Sequence, residues 1–247
     1  MDVALGIDIG GTGMKAAPVE VSTGRLIADR FRIPTPTPST PEAMAEVVRE
    51  LDLHFADITG VTGPVGVAFP AVVRSGVVHS AANIDPSWVG VDAAGAFSAA
   101  LGRPVVVVND ADAAGLAEMS FGAGRDRDGL VITLTLGTGL GSGMFMDGVL
   151  VPNTEFGHLE FRGESVERYA AASARSREDL SWRDWADRVG EFLEMVDRLF
   201  SPDLVILGGG VSRKPEKWFH RIDTRFETVI ATMANHAGVV GAAMAAV

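Results

Sequence analysis

Two glycine-rich turns, each at the end of a hydrophobic strand pattern, constrain the fold of this chain more than any other feature. The first is GIDIGGTGMK (residues 6–15), and the second is TLGTGLGSG (residues 135–143). Glycine permits the close backbone approach that lets main-chain N–H groups surround an anion. Neither turn has the spacing of a P-loop or of the dinucleotide-binding fingerprint. Two such turns half a chain apart predict two matched half-domains that bind one phosphate chain, and hence phosphoryl transfer on another scaffold.

The apolar pattern along the chain predicts strands and helices in alternation. Strand-like runs occur at Val3–Ile9, Met14–Val19, Leu26–Ile33, Val65–Phe69, Val105–Val108, Leu130–Leu136 and Leu204–Leu207. Helical patterns cover Pro41–Phe55, Ala93–Leu101, Ala111–Phe121 and Trp182–Phe200, with Thr40 and Ser181 as N-caps of the first and the last.

The organisation of the first half recurs weakly in the second. Residues 1–33 predict a strand, a glycine turn and two further strands, and residues 130–151 repeat that order with a second turn at Asp147-Gly148. We therefore predict an α/β chain with a mixed sheet and the duplicated actin-like ATPase (ribonuclease H-like) fold, in which two lobes flank a central cleft. The predicted lobes are residues 1–108 and 109–247, with the option that the last helix packs back on the N-terminal lobe.

Composition excludes several function classes. The net charge of −11 argues against general nucleic-acid binding, which needs a basic face. Without cysteine, neither disulfides nor thiolate metal sites can form. The start MDVALGIDIGG lacks the basic residues and long apolar stretch of a signal peptide. No apolar run approaches the roughly 20 residues of a transmembrane helix. We expect a soluble cytoplasmic protein that has no membrane partner.

Two acidic residues, Asp110 and Asp112, follow a strand pattern in VVVVNDAD (residues 105–112). Asn109 and Asp110 stand where this strand ends and a helix begins. A carboxylate at that point can accept a proton from a hydroxyl that attacks a phosphoryl group. The alternative is that Asp110 or Asp112 caps the helix. Both roles are open, because one acid can cap while the other acts as the base.

A polar cluster in NTEFGHLE (residues 153–160) has the composition of a sugar site. Amide, carboxylate and imidazole groups can hydrogen-bond sugar hydroxyls, and a carboxylate can take two neighbouring hydroxyls at once. A metal site is the less favoured alternative, because no cysteine is available.

Three further segments have both a functional and a structural interpretation. NIDPSW (residues 83–88) offers an amide and an aromatic wall to a sugar, or is a surface turn with a buried Trp. LGGGVS (residues 207–212) is a third site of close backbone approach, or a flexible turn. The basic residues beyond it form a track for a long polyanion, or a solvated helix face; they are Arg213, Lys214, Lys217, His220, Arg221 and Arg225.

Taken together, these motifs resemble the ROK (repressor, open reading frame, kinase) sugar kinases of the actin-like superfamily. The likeness runs over nearly the whole chain, and it is greatest to the branch of glucokinases that use inorganic polyphosphate. The motifs that carry it are GIDIGGTGMK, AANIDPSWVGVD, VVNDADAAGLAE, TLGTGLGSG, NTEFGHLE, LSWRDWADRV and LGGGVSRK.

The resemblance implies a role for each matching residue. Asp110 corresponds to the catalytic base, which takes the proton of the sugar 6-hydroxyl, and Asp8 stands near Mg²⁺, directly or through water. The implied sugar ligands are Asn83, Asn109, Asp110, Glu155, His158 and, by a looser alignment, Glu167. The implied phosphate ligands are Asp8, Gly10, Gly11, Thr12, Gly13 and Lys15 in the first turn, with Gly137, Thr138, Gly139 and Gly141 in the second. Residues implied on the nucleotide or polyphosphate side are Gly208, Gly209, Gly210, Arg213, Lys214 and Lys217.

The chain departs from many family members in two places. Where they carry a Cys-rich zinc motif, it has FRGES (residues 161–165), so no zinc is expected and His158 is left to the sugar. The polyphosphate branch resembles this chain in that absence. Family repressors have an N-terminal helix-turn-helix, whereas this sequence starts at the phosphate turn, which argues against DNA as a partner.

Residues and resemblance together predict a glucokinase that uses Mg²⁺ and transfers a phosphoryl group from polyphosphate, and possibly from ATP, to the 6-hydroxyl of glucose. A strictly ATP-dependent glucokinase or a glucomannokinase that also accepts mannose is the first alternative. A non-catalytic sugar sensor is the second, although the intact Asn109-Asp110 pair and both glycine turns argue against it. An actin-like filament protein is the third. The family likeness makes a homodimer the default assembly.

Overall fold

A computed structural model describes residues 3–58, 63–82 and 84–247 of the protein. The chain divides into two compact units: the chain up to Ala117 together with His236–Val247, and Glu118–Asn235. The division follows packing alone, and the predicted lobes 1–108 and 109–247 stay a prediction. In the part of the chain that is described, no helix is long and apolar enough to span a bilayer.

Helices and strands alternate along the chain. The helices are α1 (Pro41–His54), α2 (Ala93–Leu101), α3 (Asp110–Phe121), α4 (Val166–Ala170), α5 (Ala172–Arg177), α6 (Trp182–Phe200) and α7 (Ala237–Ala245). The strands before α4 are β1 (Val3–Gly10), β2 (Gly13–Glu20), β3 (Arg25–Leu26), β4 (Phe31–Ile33), β5 (Val65–Phe69), β6 (Val73–Arg74), β7 (Val77–Val78), β8 (Val105–Asn109), β9 (Leu130–Leu136), β10 (Leu140–Met146), β11 (Val149–Val151), β12 (Glu160–Phe161) and β13 (Glu164–Ser165). Two strands follow α6, namely β14 (Leu204–Gly208) and β15 (Glu227–Ile230).

The two units contain sheets of the same topology. In the first unit the strand order is β3-β2-β1-β5-β8, with β4 also paired to β2. In the second unit the order is β11-β10-β9-β14-β15. Each sheet starts with an antiparallel meander and continues with two strands parallel to its first one. The weak repeat seen in the sequence is therefore a repeat of topology.

Helix α6 covers the core of the second unit through one apolar face. Ser181 caps it, because its Oγ accepts the N–H of Asp184 at 3.1 Å, and Trp185, Phe192 and Val196 are buried. Their spacing of three to four residues places them on one side of the helix. The predicted helix and its cap are confirmed.

Helix α7 packs on β1 and β5 with almost no intervening side chains. A Cβ at Gly6 would overlap the carbonyl of Val239, and one at Gly66 would overlap the carbonyl of Ala242. Glycine is required at both positions, because the helix backbone lies directly on the sheet.

The prediction of one strand over Leu26–Ile33 is wrong. Two short strands, β3 and β4, pair with opposite ends of β2, and residues 27–30 stand between them. Pro18 of β2 accepts a hydrogen bond from the N–H of Ile27 on this edge but has no N–H to donate in return. The ladder is therefore interrupted opposite Pro18.

Candidate active site

The first glycine turn joins β1 to β2 and is braced by two side chains. Gly10 pairs with Gly13 across the turn, and Gly11 and Thr12 are exposed at its tip. The hydroxyl of Thr35 donates to the Gly10 carbonyl at 2.5 Å, and Arg32 Nη2 donates to the Thr12 carbonyl at 2.6 Å. Both bonds satisfy carbonyl oxygens of the turn. Sequence reasoning missed Arg32 and Thr35, because neither belongs to a motif.

Asp8 and Lys15 form a cross-strand ion pair beside this turn. Lys15 Nζ lies 3.3 Å from Asp8 Oδ2, as expected for residues directly opposite each other in β1 and β2. Helix α7 begins nearby, because a Cβ at Gly238 would lie 2.9 Å from the Asp8 carboxyl carbon. The positive end of a helix favours a carboxylate at this position. A carboxylate at this position suits Mg²⁺, which usually takes one or two carboxylates together with phosphate oxygens and water. Among the described residues, no three or more His, Cys, Asp or Glu side chains form a cluster that could hold a metal ion.

Asn109 and Asp110 join β8 to α3. Asn109 Oδ1 accepts the N–H groups of Ala111 and Asp112 at 2.9 and 3.1 Å, and its Nδ2 donates to the Ala71 carbonyl at 3.1 Å. Asp110 Oδ1 also accepts the Ala111 N–H, at 2.8 Å. The first turn of the helix is therefore capped by Asn109, and Asp110 adds one further acceptor. One amide hydrogen of Asn109 remains for a ligand, and its role as a sugar ligand stays a prediction.

The first turn and Asp110 lie at the same edge of the first unit's sheet. Asp8, Ala68 and Val108 are aligned across the parallel strands β1, β5 and β8. At about 4.8 Å per strand, the backbone of Asp8 lies roughly 10 Å from that of Val108, two residues before Asp110. Asp8 and Asp110 thus lie about two strands apart at one edge of the same sheet.

The second and third glycine turns lie together at one edge of the second unit's sheet. Strands β9 and β14 are parallel, and Thr135 is aligned with Gly208. Gly209 has a φ of 85°, and a Cβ there would overlap the backbone of Leu136. Thr138 is exposed at the tip of the second turn, whereas Gly141 lies inside β10, opposite Thr135. The two turns therefore lie side by side at the ends of neighbouring strands.

Glu155 and His158 stand together in the polar cluster of the second unit, with Glu155 Oε2 3.6 Å from His158 Nε2. Burial raises the pKa of the Glu155 carboxyl above its usual value, His158 opposes that shift, and the charge of Glu167 adds to it. The cluster therefore holds a partly buried carboxylate that can accept hydrogen bonds from hydroxyl groups.

Glu167 links this cluster to the second glycine turn. Its Oε2 accepts the N–H of Leu140 at 2.9 Å, and a Cβ at Gly139 would overlap its carboxylate. A Cβ at Gly157, between Glu155 and His158, would overlap the carbonyl of Leu140. The family resemblance implies a sugar contact for Glu167, and that role stays a prediction. Its contacts with Leu140 and Gly139 show that Glu167 also bonds the second glycine turn. This second contact is evident only in the folded chain.

The segment FRGES lies in the hairpin of β12 and β13. Polar and aromatic contacts hold this hairpin against α4 and α6. Arg162 lies 3.1 Å from Glu191 of α6, and the hydroxyl of Tyr169 donates to the same carboxylate at 2.6 Å. The ring of Phe161 packs against that of Tyr169 at 5.3 Å between centroids. These contacts attach the hairpin that follows His158 to the core of the second unit.

Two predictions about flanking residues have different outcomes. Asn83 lies outside the described residues, so its role as a sugar ligand stays a prediction. Trp88 is fully buried, packs against Phe69 and Phe97, and donates from Nε1 to the Ser39 carbonyl. The proposal of an aromatic wall at Trp88 is therefore wrong, because the ring belongs to the core.

The basic residues after the third turn divide into two sets. Arg221 pairs with Asp187 at 2.9 Å, and Arg225 pairs with Asp197 at 3.0 Å, so α6 neutralises the far end. Arg213, Lys214, Lys217 and His220 are exposed. Arg221 and Arg225 thus have acidic partners on α6. Both the track over residues 213–225 and a donor-side role for Arg213, Lys214 and Lys217 stay predictions.

Comparison with known proteins gives consistent results. The ROK family model matches residues 4–168. A polyphosphate glucokinase of Mycobacterium tuberculosis is 47% identical over 243 residues, which cover 98% of this chain and 90% of that protein. A polyphosphate glucokinase of Mycobacterium leprae is 46% identical over 241 residues, which cover 97% of this chain and 73% of that protein.

Solved structures agree with the sequence relatives. The inorganic polyphosphate/ATP-glucomannokinase from Arthrobacter sp. strain KM matches with a TM-score of 0.95 and 46% identity, covering 99% of this chain and 98% of that one. A ROK family glucokinase from Streptomyces griseus, solved with glucose and AMPPNP, matches with a TM-score of 0.84 and 27% identity over 99% of both chains. The predicted α/β, actin-like ATPase fold is confirmed. The family match over most of the chain, together with these identities, shows that this protein belongs to the ROK family.

Proposed function

We propose that this protein is a glucokinase that transfers a phosphoryl group from inorganic polyphosphate, and also from ATP, to the 6-hydroxyl of glucose. The observation that carries the proposal is the arrangement in the second unit, where Glu167 bonds the second glycine turn beside the Glu155–His158 pair. A sugar-type cluster attached to a phosphate-type turn fits a sugar kinase. Relatives that are about 47% identical over almost the full length carry the name polyphosphate glucokinase, which supports polyphosphate as the donor.

In the proposed reaction, Asp110 accepts the proton of the glucose 6-hydroxyl as that oxygen attacks the terminal phosphorus. The new O–P bond forms while the bond from the phosphorus to the bridging oxygen breaks. The products are glucose 6-phosphate and a polyphosphate shortened by one residue, or ADP when ATP is the donor. A general base of this kind contributes about 10²–10⁴-fold to the rate. The rest of the catalysis is alignment and neutralisation of charge.

The two glycine turns position the donor in this proposal. Backbone N–H groups of Gly10–Gly13 and of Gly137–Gly139 bind the terminal phosphates, and Lys15 supplies a positive charge beside the first turn. Mg²⁺, held near Asp8, supplies further neutralisation of the phosphate oxygens when it is bound. The third turn, Gly208–Gly210, takes the adenosine side of ATP or the continuing polyphosphate chain.

The sugar hydroxyls are bound by the carboxylates and by neutral polar groups. Glu155, His158 and Glu167 belong to the second unit, and Asn109 adds its remaining amide hydrogen. Asn83 completes the set in the proposal. Zinc has no part in it, because the hairpin that follows His158 is anchored by Arg162 and Tyr169 instead. We further propose a cytoplasmic homodimer that acts through lobes corresponding to residues 1–108 and 109–247.

The experiment that tests the function is glucose 6-phosphate formation with Mg²⁺, with long-chain polyphosphate and ATP compared in parallel. Turnover with polyphosphate supports the proposal, and competition with mannose tests a glucomannokinase. Turnover with ATP alone would leave the sugar kinase in place and remove the polyphosphate donor. Sugar binding without turnover on either donor would favour a non-catalytic sensor.

A further inference from the structure

Arg175 is a half-buried cation that has no acidic partner among the described residues. It lies on α5, and its Nε is buried without a hydrogen-bond partner. Glu178, three residues later, is already paired with Arg177 and Arg188, at 2.6 Å in both cases. A buried guanidinium nitrogen without an acceptor is unfavourable, and such groups usually have a partner. In a chain of net charge −11 this cation calls for an explanation.

A second cation, Lys217, lies near the same aromatic ring as Arg175. The Cζ of Arg175 lies 4.0 Å from the centroid of the Trp182 ring, and Lys217 Nζ lies 5.9 Å from the same centroid. The indole favours each cation through its negative face but does not cancel either charge. The two like charges repel each other, and an anion bound near both of them would offset that repulsion. Arg175 and Lys217 therefore form a site that is suited to an anionic ligand.

Each cation lies on a segment that is hydrogen-bonded to, or next to, a glycine turn. The N–H of Ser173, two residues before Arg175, donates to the carbonyl of Gly137 in the second turn at 3.1 Å. Lys217 precedes Trp218, whose Nε1 donates to the carbonyl of Val211, next to the third turn. The rings of Trp182, Trp185 and Trp218 contact one another in sequence and hold the two elements together.

We propose that Arg175 and Lys217, held on Trp182, form a subsite for phosphate residues of an inorganic polyphosphate chain beyond the residues bound by the glycine turns. This inference rests on the proposed function and extends it. An Arg guanidinium suits a phosphate because its N–H groups match two of the phosphate oxygens. Lys217 adds a point charge to the same stretch of the chain.

The test is Arg175→Gln, which removes the charge but keeps a long polar side chain. The KM for long-chain polyphosphate is expected to rise about tenfold or more, the size of one lost charge-assisted phosphate contact. The KM values for ATP, tripolyphosphate and glucose are expected to change less than about twofold, because those ligands depend on the turns and the sugar cluster. Retained turnover with ATP also reports that the variant is folded.

Arg183→Gln is the matched control, because Arg183 adjoins Trp182 in sequence, is exposed and carries the same charge. Its polyphosphate KM should stay near that of the wild type. Lys217→Gln is the second test variant: Lys217 is exposed, so its replacement leaves the core intact, and a smaller selective rise is expected. Binding of long-chain polyphosphate, followed by tryptophan fluorescence without glucose, reports the subsite independently of turnover.

If Arg175→Gln raised the KM values for ATP, tripolyphosphate and long-chain polyphosphate equally, the subsite would be overturned. Equal rises of the long-chain polyphosphate KM in Arg175→Gln and Arg183→Gln would overturn it as well. Failure of the proposed function gives a different result, because wild-type protein would then not convert polyphosphate and glucose at all. Normal turnover by Arg175→Gln and by Lys217→Gln on long-chain polyphosphate, together with unchanged binding, would also overturn it.

Discussion

Replacing Asn109 by Ala should destabilise the first unit strongly, because one side chain makes three hydrogen bonds there. Its Oδ1 accepts the N–H groups of Ala111 and Asp112, and its Nδ2 donates to Ala71. Loss of a helix cap usually costs about 1 kcal/mol. Loss of a donor to a buried carbonyl costs about 1–3 kcal/mol. The free energy of unfolding should therefore fall by about 2–4 kcal/mol.

Thermal unfolding measures this loss. For a chain of this size, 1 kcal/mol corresponds to about 2–4 °C, so the Tm should fall by roughly 4–16 °C. Asn109→Asp is the informative companion, because it keeps the acceptor for Ala111 and Asp112 but cannot donate to Ala71. Its loss should be intermediate if repulsion from the Ala71 carbonyl stays small. A Tm change of less than about 2 °C for Asn109→Ala would refute the structural argument. Glucose KM, measured well below the Tm of each variant, separately tests the remaining amide hydrogen as a sugar contact.

Three further predictions concern catalysis, pH and packing. Asp110→Asn should keep glucose binding and lower kcat by about 10²–10⁴-fold in the coupled glucose 6-phosphate assay, and a near-normal kcat would contradict its role as base. Glucose affinity should weaken as the pH falls towards 4.5, the ordinary pKa of a Glu side chain. Burial raises the pKa of Glu155, so its carboxylate takes up a proton at a higher pH than an exposed Glu does. Calorimetric titration of Glu155→Gln with glucose should show that this variant lacks the loss of affinity at acid pH. Gly66→Ala should lower stability by about 1–3 kcal/mol or more, because its methyl group would overlap the Ala242 carbonyl. Gly190→Ala in the open side of α6 is the control, and its Tm should not fall.

Much of the secondary structure follows from local patterns. Strand β9 occupies the predicted residues Leu130–Leu136, and α6 begins and ends at the predicted Trp182 and Phe200. The apolar run of β9 is followed directly by the second glycine turn, and the apolar face of α6 is preceded directly by its cap residue Ser181. In both cases the signals lie within a few residues of the element. Local spacing therefore suffices where one element is amphipathic or closed by a turn.

Other elements have no such pattern. Helix α7 consists mainly of Ala, Gly and Val and is apolar on all sides, so no periodicity identifies the face that lies on the sheet. Its packing depends on Gly6 and Gly66, more than 170 residues earlier in the chain. The break between β3 and β4 likewise depends on Pro18 in the neighbouring strand. Such features arise from contacts between distant segments.

The sequence by itself determined which residues could do phosphoryl-transfer chemistry. Glycine turns after strands, the Asn109-Asp110 pair and the cluster around His158 are local patterns, because each role depends on residue types at short spacing. Only the tertiary structure decided how several side chains are used. It places Asn109 in a cap, buries Trp88, bonds Glu167 to the second turn and brings Arg175 and Lys217 to the ring of Trp182. The reason is physical: hydrogen bonding, burial and charge repulsion depend on neighbours in space, and these residues find their neighbours only when distant segments pack together.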